Sequence, residues 1–116
     1  MSPDAARAMY RRLIASGEEI KLRRYTGTGA SRPFADYSLR AKVAGYSPEE
    51  IVGNIQQGDR NIIALAEDVF NAQFPVPVTP NDKVIVRGKE LAIMSIDDST
   101  RRIGGELIAY QIQARG

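Results

Sequence analysis

The chain contains no cysteine and no histidine among its 116 residues. These absences exclude disulfide bonds, thiolate or imidazole metal sites, cysteine nucleophiles and catalytic triads with an imidazole base. No run of about 18 apolar residues is present that could span a bilayer, so no membrane association is expected. The N-terminus lacks the basic start and apolar stretch of a secretion signal. We therefore expect a soluble protein of the cytoplasm.

Adjacent carboxylates are the remaining groups that could support catalysis or bind a metal ion. They occur as Glu49-Glu50, Glu67-Asp68 and Asp97-Asp98. Adjacent residues face opposite sides of a strand and are usually solvated in a turn. We therefore expect no catalytic residue, no metal and no cofactor, and a protein that is not an enzyme. A carboxylate enzyme with a divalent ion on Asp97 and Asp98 stays an alternative.

Length and composition indicate one domain, residues 1–116, with 43% apolar residues. The charges are divided unevenly along the chain. Residues 1–45 contain nine basic and four acidic groups, whereas residues 46–116 contain seven basic and ten acidic groups. This asymmetry suits docking between copies or with other proteins, and it also permits a basic patch near nucleic acid. Ordinary solvated charges would produce the same counts.

The N-terminal segment Pro3–Ser16 is predicted to be a helix. Ser2 is a suitable N-cap, Pro3 fits the first helical position, and Gly17 can end the helix. One face carries apolar residues at helical spacing: Ala6, Met9, Tyr10, Leu13 and Ile14. Arg7, Arg11 and Arg12 occupy the remaining surface. The apolar face is expected to cover one side or end of a sheet, or to dock on a neighbouring subunit.

The next region alternates between apolar and polar residues and is predicted to form strands. Glu19–Tyr25 is a first strand, and the glycine-rich connection Thr26–Pro33 leads to a second, Phe34–Tyr46. The buried face of the second strand consists of Tyr37, Leu39, Ala41 and Val43. Ser47–Glu50 is predicted to be a turn, and the short apolar run Ile62–Ala66 a strand.

The C-terminal part is predicted to end in three consecutive antiparallel strands. No regular element is expected between Val69 and Pro80, because Pro75, Pro77 and Pro80 remove backbone donors. The three strands are Lys83–Arg87, Leu91–Ile96 and Glu106–Gln113, with a turn at Gly88 and a polar connection at Asp97–Gly105. The last strand should place Ile108, Tyr110 and Ile112 on one face. The sequence therefore predicts a mainly β fold, a small antiparallel barrel of five or six strands with an N-terminal helix and long loops.

The order of elements resembles that of the head-tail joining, head-closure or stopper proteins of tailed bacteriophages, which also occur in gene-transfer agents. The resemblance covers residues 18–115. It is strongest at Gly58-Asp-Arg60, Pro80-Asn-Asp-Lys-Val84, Gly88 and Tyr110-Gln-Ile-Gln113. These are turn and strand motifs that carry no chemistry. The leading helix departs from the simplest members of the family, which begin directly with a strand.

The resemblance implies a β-barrel that stacks in a ring of six or twelve copies in the virion neck. The ring would lie between portal-adaptor proteins and the tail terminator or tail tube proteins. A long loop would reach toward the axial channel and hold packaged double-stranded DNA without sequence specificity. Two loops are candidates for this channel or inter-subunit role. Their residues are Thr26, Gly27, Thr28, Gly29, Ala30, Ser31 and Arg32, and Asp97, Asp98, Ser99, Thr100, Arg101, Arg102, Gly104 and Gly105.

Two further functions stay open. A tail-completion or terminator protein of the same neck has a similar size. A nucleic-acid-binding small barrel would use the basic residues of the N-terminal half, which are Arg7, Arg11, Arg12, Lys21, Arg23, Arg24 and Arg40. In that case Tyr25, Phe34 and Tyr37 would have to stack on bases while also building the core.

Overall fold

The computed structural model describes residues 1–116 and contains a closed antiparallel barrel of six strands. The strands follow one another around the barrel in the order β1-β2-β3-β8-β5-β4, and β1 pairs with β4 to close it. The expected mainly β fold with an N-terminal helix is confirmed. In chain order the elements are α1 (Pro3–Ala15), β1 (Glu18–Tyr25), β2 (Phe34–Gly45), a 3₁₀ turn (Pro48–Glu50), β3 (Arg60–Leu65), α2 (Ala66–Asn71), β4 (Lys83–Val86), β5 (Lys89–Asp97), β6 (Arg102–Ile103), β7 (Glu106–Leu107) and β8 (Ala109–Arg115).

The barrel core is built from the residues that alternate along each strand. In β2 the predicted inward face is confirmed, since Leu39 and Ala41 are buried while Tyr37 and Val43 pack partly buried against the same core. Alternate residues of a strand point to the same side, so each strand supplies an inner and an outer row. The other strands contribute Ile20, Leu22, Ile62, Ala64, Val84, Val86, Leu91, Ile93, Tyr110, Ile112 and Ala114.

The β4–β5 hairpin turns on two residues in the left-handed region. Arg87 has φ 50° and Gly88 has φ 80°, and Val86 pairs with Lys89 across the turn. Two consecutive positive φ angles match the right-handed twist of the strands, which is why such turns join two-residue hairpins. The predicted strand Lys83–Arg87 therefore ends one residue early, at Val86.

Helix α1 begins as the sequence indicates and packs on its own barrel. The Ser2 side chain accepts a hydrogen bond from the backbone N–H of Ala5 at 3.1 Å. Ala6 and Ile14 are buried and Tyr10 packs beside them against Leu65 of β3. These helix residues lie four apart, so they form a narrow stripe on one side of the helix.

The barrel leaves two residues of the apolar face predicted for α1 uncovered. Met9 is 44% exposed and Leu13 is 36% exposed. The stripe of Ala6, Tyr10 and Ile14 packs against Leu65 and Ile108, and Met9 and Leu13 lie beside this stripe. At the end of the helix, Gly17 passes the backbone of β2 so closely that an added Cβ would lie 2.1 Å from the carbonyl oxygen of Ala41.

Helix α2 was not predicted. The expected strand Ile62–Ala66 ends at Leu65, and the segment from Val69 that was expected to be irregular begins with the second half of α2. The helix has no side-chain N-cap at Leu65, so the usual start signal is missing. Glu67 and Asp68 in its first turn favour it through the helix dipole.

The predicted strand Glu106–Gln113 is interrupted at Ile108. The Ile108 N–H donates to the carbonyl oxygen of Arg101, and the Ile108 carbonyl oxygen accepts from the N–H of Ala66, both at 2.9 Å. Ile108 is therefore buried against α1, whereas Tyr110 and Ile112 point into the barrel core. The expectation of one shared face is wrong for Ile108 because these bonds to segments outside the barrel turn the backbone there.

Candidate functional site

Both candidate loops leave the same end of the barrel. Arg23 near the end of β1 pairs with Lys83 at the start of β4, and Asp97 at the end of β5 pairs with Gln111 of β8. Because all neighbouring strands are antiparallel, these strand ends share one rim with the start of β2. We call this rim the loop end. The opposite rim, which carries the β4–β5 turn and the start of β3, is the hairpin end.

The first candidate loop, Thr26–Pro33, has a closed base and an exposed tip. The Thr26 N–H donates to the carbonyl oxygen of Pro33 at 2.9 Å. All residues from Thr26 to Ser31 are exposed. Gly27 and Gly29 have φ angles of 75° and 94°, so a side chain at either position would be strained although nothing surrounds it.

Two arginines and two aromatic rings fix the base of the first loop on the outer surface of the barrel. The Arg32 guanidinium lies 4.1 Å from the ring centre of Tyr25, and that of Arg23 lies 3.8 Å from the ring centre of Phe34. The two rings meet edge to face with centroids 5.5 Å apart. The Tyr25 hydroxyl donates to Glu90 at 2.8 Å. The loop therefore leaves the barrel in a fixed direction.

Asp36 completes this cluster. Its two carboxylate oxygens accept hydrogen bonds from Arg23, at 2.7 Å from Nε and 3.0 Å from Nη2. The same hydrogen bonds hold the pKa of Asp36 below its ordinary value. No motif of the sequence indicates Asp36 or Glu90; Asp36 meets Arg23 through the β1–β2 register, in which the two residues lie opposite each other.

The second candidate loop, Asp97–Gly105, is folded rather than open. One oxygen of Asp97 accepts the backbone N–H groups of Ser99 at 2.9 Å and Thr100 at 3.0 Å. These hydrogen bonds, from Thr100 first and then Ser99, lower the pKa of Asp97 to about 2. Two carboxylate lone pairs are thereby used to close a local turn.

The rest of this loop forms the small β6–β7 hairpin. Gly104 and Gly105 make its turn with φ angles of 59° and 81°. Arg102 stabilises the turn, since its Nε donates to the carbonyl oxygen of Asp98 at 2.7 Å and its Nη1 to that of Gly105 at 2.8 Å. The prediction of a polar connection did not include this hairpin. Two adjacent positive φ angles make the tight turn that lets Arg102 and Ile103 pair with Leu107 and Glu106.

Helix α1 holds the second loop in place. The Arg101 guanidinium donates to the Tyr10 hydroxyl and to the Gln111 side chain, the latter at 3.1 Å from Nη2. Arg7 donates to Glu106 of β7. The two candidate loops therefore differ in kind. The second forms a hairpin that is held against α1, although its turn at Gly104 and Gly105 is exposed, whereas the first contains no strand or helix.

The basic residues of the N-terminal half do not form one unpaired patch. Arg11 pairs with Glu67 at 2.8 Å, and Arg24 with Asp82 at 2.8 Å. Arg7 and Arg23 pair with carboxylates as described above. No ion pair forms at the remaining members of the predicted cluster, which are Arg12, Lys21 and Arg40.

Asp59 explains the Gly58-Asp-Arg60 motif. It is 2% exposed, and its carboxylate accepts the backbone N–H of Gln56 at 2.9 Å and the Gln113 side-chain amide at 2.9 Å. Arg115 at the end of β8 donates to both oxygens, from Nε at 2.8 Å and from Nη2 at 2.9 Å. The hydrogen bonds from Arg115 are the main reason that the pKa of Asp59 lies far below its ordinary value.

Asp82 has the same role in the Pro80-Asn-Asp-Lys-Val84 motif. It is 2% exposed, accepts the backbone N–H of Thr79 at 2.8 Å, and receives Nε and Nη2 of Arg24, each at 2.8 Å. Arg24 also donates to the carbonyl oxygens of Pro75 and Pro77. Both motifs therefore close a turn before a strand and fasten it to an arginine at the end of another strand.

No group of three or more histidine, cysteine, aspartate or glutamate residues is placed so that it could hold a metal ion. No helix is both long and apolar enough to cross a membrane. Comparison with models of known protein families and with curated proteins gives no match for this chain.

Proposed function

We propose that this chain is a structural component of the neck of a tailed bacteriophage, a ring-forming head-closure protein. In this role it joins the portal-adaptor assembly to the tail and helps to retain the packaged DNA. The observation that carries the proposal is the contrast at the loop end of a closed barrel, where a hairpin held against α1 lies beside an exposed loop that contains no strand or helix. The resemblance of the turn motifs to the head-closure family supports the same role.

A rigid barrel is suited to a structural protein that must keep its shape under mechanical force. Asp59 and Asp82 are buried in ion pairs at the hairpin end and the loop end, so both rims are fastened. The exposed tip of the Thr26–Pro33 loop carries two glycines, Gly27 and Gly29, where an added Cβ would meet no atom within 4 Å. Ordering such a tip costs about 1 to 2 kcal/mol per residue, which contacts with neighbouring copies or with DNA would offset.

In the proposed ring, the exposed loops of all copies would converge around the channel. The clamp of Arg23, Tyr25, Arg32 and Phe34 sets the direction in which each loop leaves its barrel. Six or twelve such loops would narrow the channel and oppose the exit of DNA through steric contact and through the positive charge of Arg32. This mechanism requires no bond to be made or broken.

A nucleic-acid-binding barrel is the second candidate, and one observation favours it. Tyr25 and Phe34 lie on the outer surface rather than in the core, and Phe34 is 51% exposed beside Arg23. The conflict between stacking and core building that the sequence indicated is therefore absent for these two rings. A filter-binding assay with single-stranded DNA tests this function, and affinity that falls steeply with salt is the expected result if it holds.

The neck function is tested by mixing the purified protein with purified portal-adaptor complexes and measuring co-sedimentation. We expect stoichiometric attachment as a ring that electron microscopy resolves. A variant in which Gly27–Ser31 is replaced by a two-residue glycine-serine link should still attach, because the barrel and the second loop are unchanged. Failure of the intact protein to attach to any portal-adaptor complex of its own phage would contradict the proposal.

A further inference from the structure

The hairpin end of the barrel opens into a cavity with a basic rim. The cavity measures about 240 Å³ and is lined by Arg60, Arg87, Lys89, Val86, Leu91 and Gly116, with Gly58 at its edge. It lies at the opposite end of the barrel from both candidate loops. The Gly58-Asp-Arg60 motif supplies two of its residues, and the others come from the β4–β5 hairpin and from Gly116.

The register shows that this cavity is the mouth of the barrel. Ile62, Leu91 and Ala114 are core residues of β3, β5 and β8. Arg60, Lys89 and Gly116 lie two positions from Ile62, Leu91 and Ala114, respectively, toward the hairpin end, and therefore belong to the same inner rows. These residues therefore surround the end of the core, and the buried side chains of Val86 and Leu91 form the floor.

The positive charge of the mouth is only partly compensated. Arg87 pairs with Glu18, with 2.7 Å between Nη2 and Oε2, and its side chain remains 68% exposed. Arg60 and Lys89 form no ion pair with any side-chain carboxylate, and Nη1 of Arg60 donates to the carbonyl oxygen of Gly58 at 2.9 Å. The nearby Arg115 and Asp59 neutralise each other. The mouth thus presents two unpaired cations and a third that is shared.

We propose that the mouth binds an acidic segment of a partner protein, in which a carboxylate stands next to an apolar side chain. The carboxylate would receive hydrogen bonds from Arg60 and Lys89, and the apolar side chain would cover Val86 and Leu91. A rim of cations above an aliphatic floor matches such a segment better than a phosphate, which has no apolar part to place on the floor. Cavities at the mouths of barrels are common binding sites.

This inference rests on the proposed function only in taking the partner to be another neck protein. Within a neck, the loop end and the hairpin end would meet different neighbours. An acidic segment in the mouth would then fix the barrel to the neighbour on the side opposite the exposed loop. A surface built from charge pairs also gives selectivity between candidate partners.

The test is titration of the ¹⁵N-labelled full chain with a blocked pentapeptide that contains two acidic residues around a leucine. We expect amide shifts at Gly58, between Val86 and Leu91, and at Gly116. The matched peptide with asparagine and glutamine in place of the acids should cause none of them. Absence of these shifts up to about 10 mM acidic peptide, a range that includes weak complexes, overturns the proposal.

Variants show whether the cations of the mouth are responsible. Lys89→Glu combined with Arg60→Gln should weaken peptide binding at least about tenfold. Lys89→Ala alone is a milder change on an exposed residue and should weaken it by a smaller factor. Lys21→Glu is the control, because Lys21 lies on the outer surface of β1 and forms no ion pair. This variant should bind the peptide with the same affinity as the unchanged protein.

Two results would reject an acidic peptide as the ligand. One is that the double variant binds the acidic peptide with the same affinity as the unchanged protein. The other is a stronger response of the same amides to inorganic phosphate or duplex DNA than to the peptide. The outcome is separable from the neck function. If the protein binds the peptide but does not attach to portal-adaptor complexes, the peptide site is supported and the neck function is contradicted. If it attaches but does not bind the peptide, the neck function is supported and the peptide site is contradicted.

Discussion

Arg115 holds both carboxylate oxygens of Asp59, and this pair joins the turn before β3 to the last residue of β8. The Asp59 side chain is 1% exposed, so water competes little for its hydrogen bonds. Arg24 and Asp82 make an equivalent pair at the other end of the barrel. The barrel is therefore fastened at both rims by one buried aspartate and one arginine from a distant strand.

Replacing Asp59 should destabilise the barrel strongly. Asp59→Asn keeps the size of the side chain but removes the charge that Arg115 and Gln113 face, so the free energy of unfolding should fall by about 3 kcal/mol. Urea denaturation at neutral pH measures this change. Asp98→Asn is the control, because the Asp98 carboxylate accepts a single hydrogen bond, from the hydroxyl of Ser99, and forms no ion pair. Equal stability of the two variants would contradict the assigned role of Asp59.

Low pH should weaken the ion pair between Asp59 and Arg115. The pKa of Asp59 is lowered in the folded protein, so the unfolded chain binds more protons between the two pKa values and stability rises with pH in that range. Loss of stability should begin as pH falls below about 4, the ordinary pKa of aspartate, and continue toward the low folded pKa. Urea midpoints from pH 7 to pH 2 test this. The loss should be smaller in Asp59→Asn, and an unchanged acid dependence would contradict the linkage.

Gly17 should not tolerate a side chain. A Cβ at this position would lie 2.1 Å from the Ala41 carbonyl oxygen, which belongs to the backbone of β2 and cannot rotate away. Gly17→Ala should therefore lower the free energy of unfolding by about 1 to 3 kcal/mol through overpacking. Gly45→Ala is a matched control at the last residue of β2, where nothing lies within 4 Å of an added Cβ. Similar effects of the two substitutions would contradict the close approach.

Arg101 should control the docking of the β6–β7 hairpin on α1. Arg101→Met removes the hydrogen bonds to Tyr10 and Gln111 while keeping a long apolar side chain. Amide hydrogen exchange should become faster in residues 102–107, while exchange in β8 stays slow because its ladder to β3 and β5 is unaffected. Arg12→Met is the control, since Arg12 forms no ion pair, and it should leave both regions unchanged. Unchanged exchange in Arg101→Met would show that the hairpin is held by other contacts.

Local patterns allowed much of the barrel to be predicted. The alternation of Tyr37, Leu39, Ala41 and Val43 defined β2, and Ser2 with Pro3 defined the start of α1, because each signal lies within a few residues. Helix α2 was missed since it is six residues long and begins at Leu65 without a side-chain cap. The break at Ile108 was missed because it depends on bonds to Arg101 and Ala66, which the alternation of the strand does not include.

Local sequence patterns also indicated only part of the candidate site. The glycines of Thr26–Pro33 correctly indicated an exposed loop. Those of Asp97–Gly105 form the exposed turn of the β6–β7 hairpin, but they did not indicate that this hairpin docks on α1. Arg101 and Tyr10 are 91 residues apart in the chain, so no local pattern could reveal their contact. Asp59 and Asp82 had one readable signal, since each stands directly before a strand, but their arginine partners lie 56 and 58 residues away.

The DNA content of virus particles that lack this protein tests the central claim most directly. The measurement is the ratio of packaged DNA to capsid protein in particles from a phage in which the gene is deleted, with the intact gene supplied in trans as the control. The account predicts heads that lose their DNA and carry no tails, with recovery on complementation. Heads that keep their DNA and attach tails without the protein would contradict it.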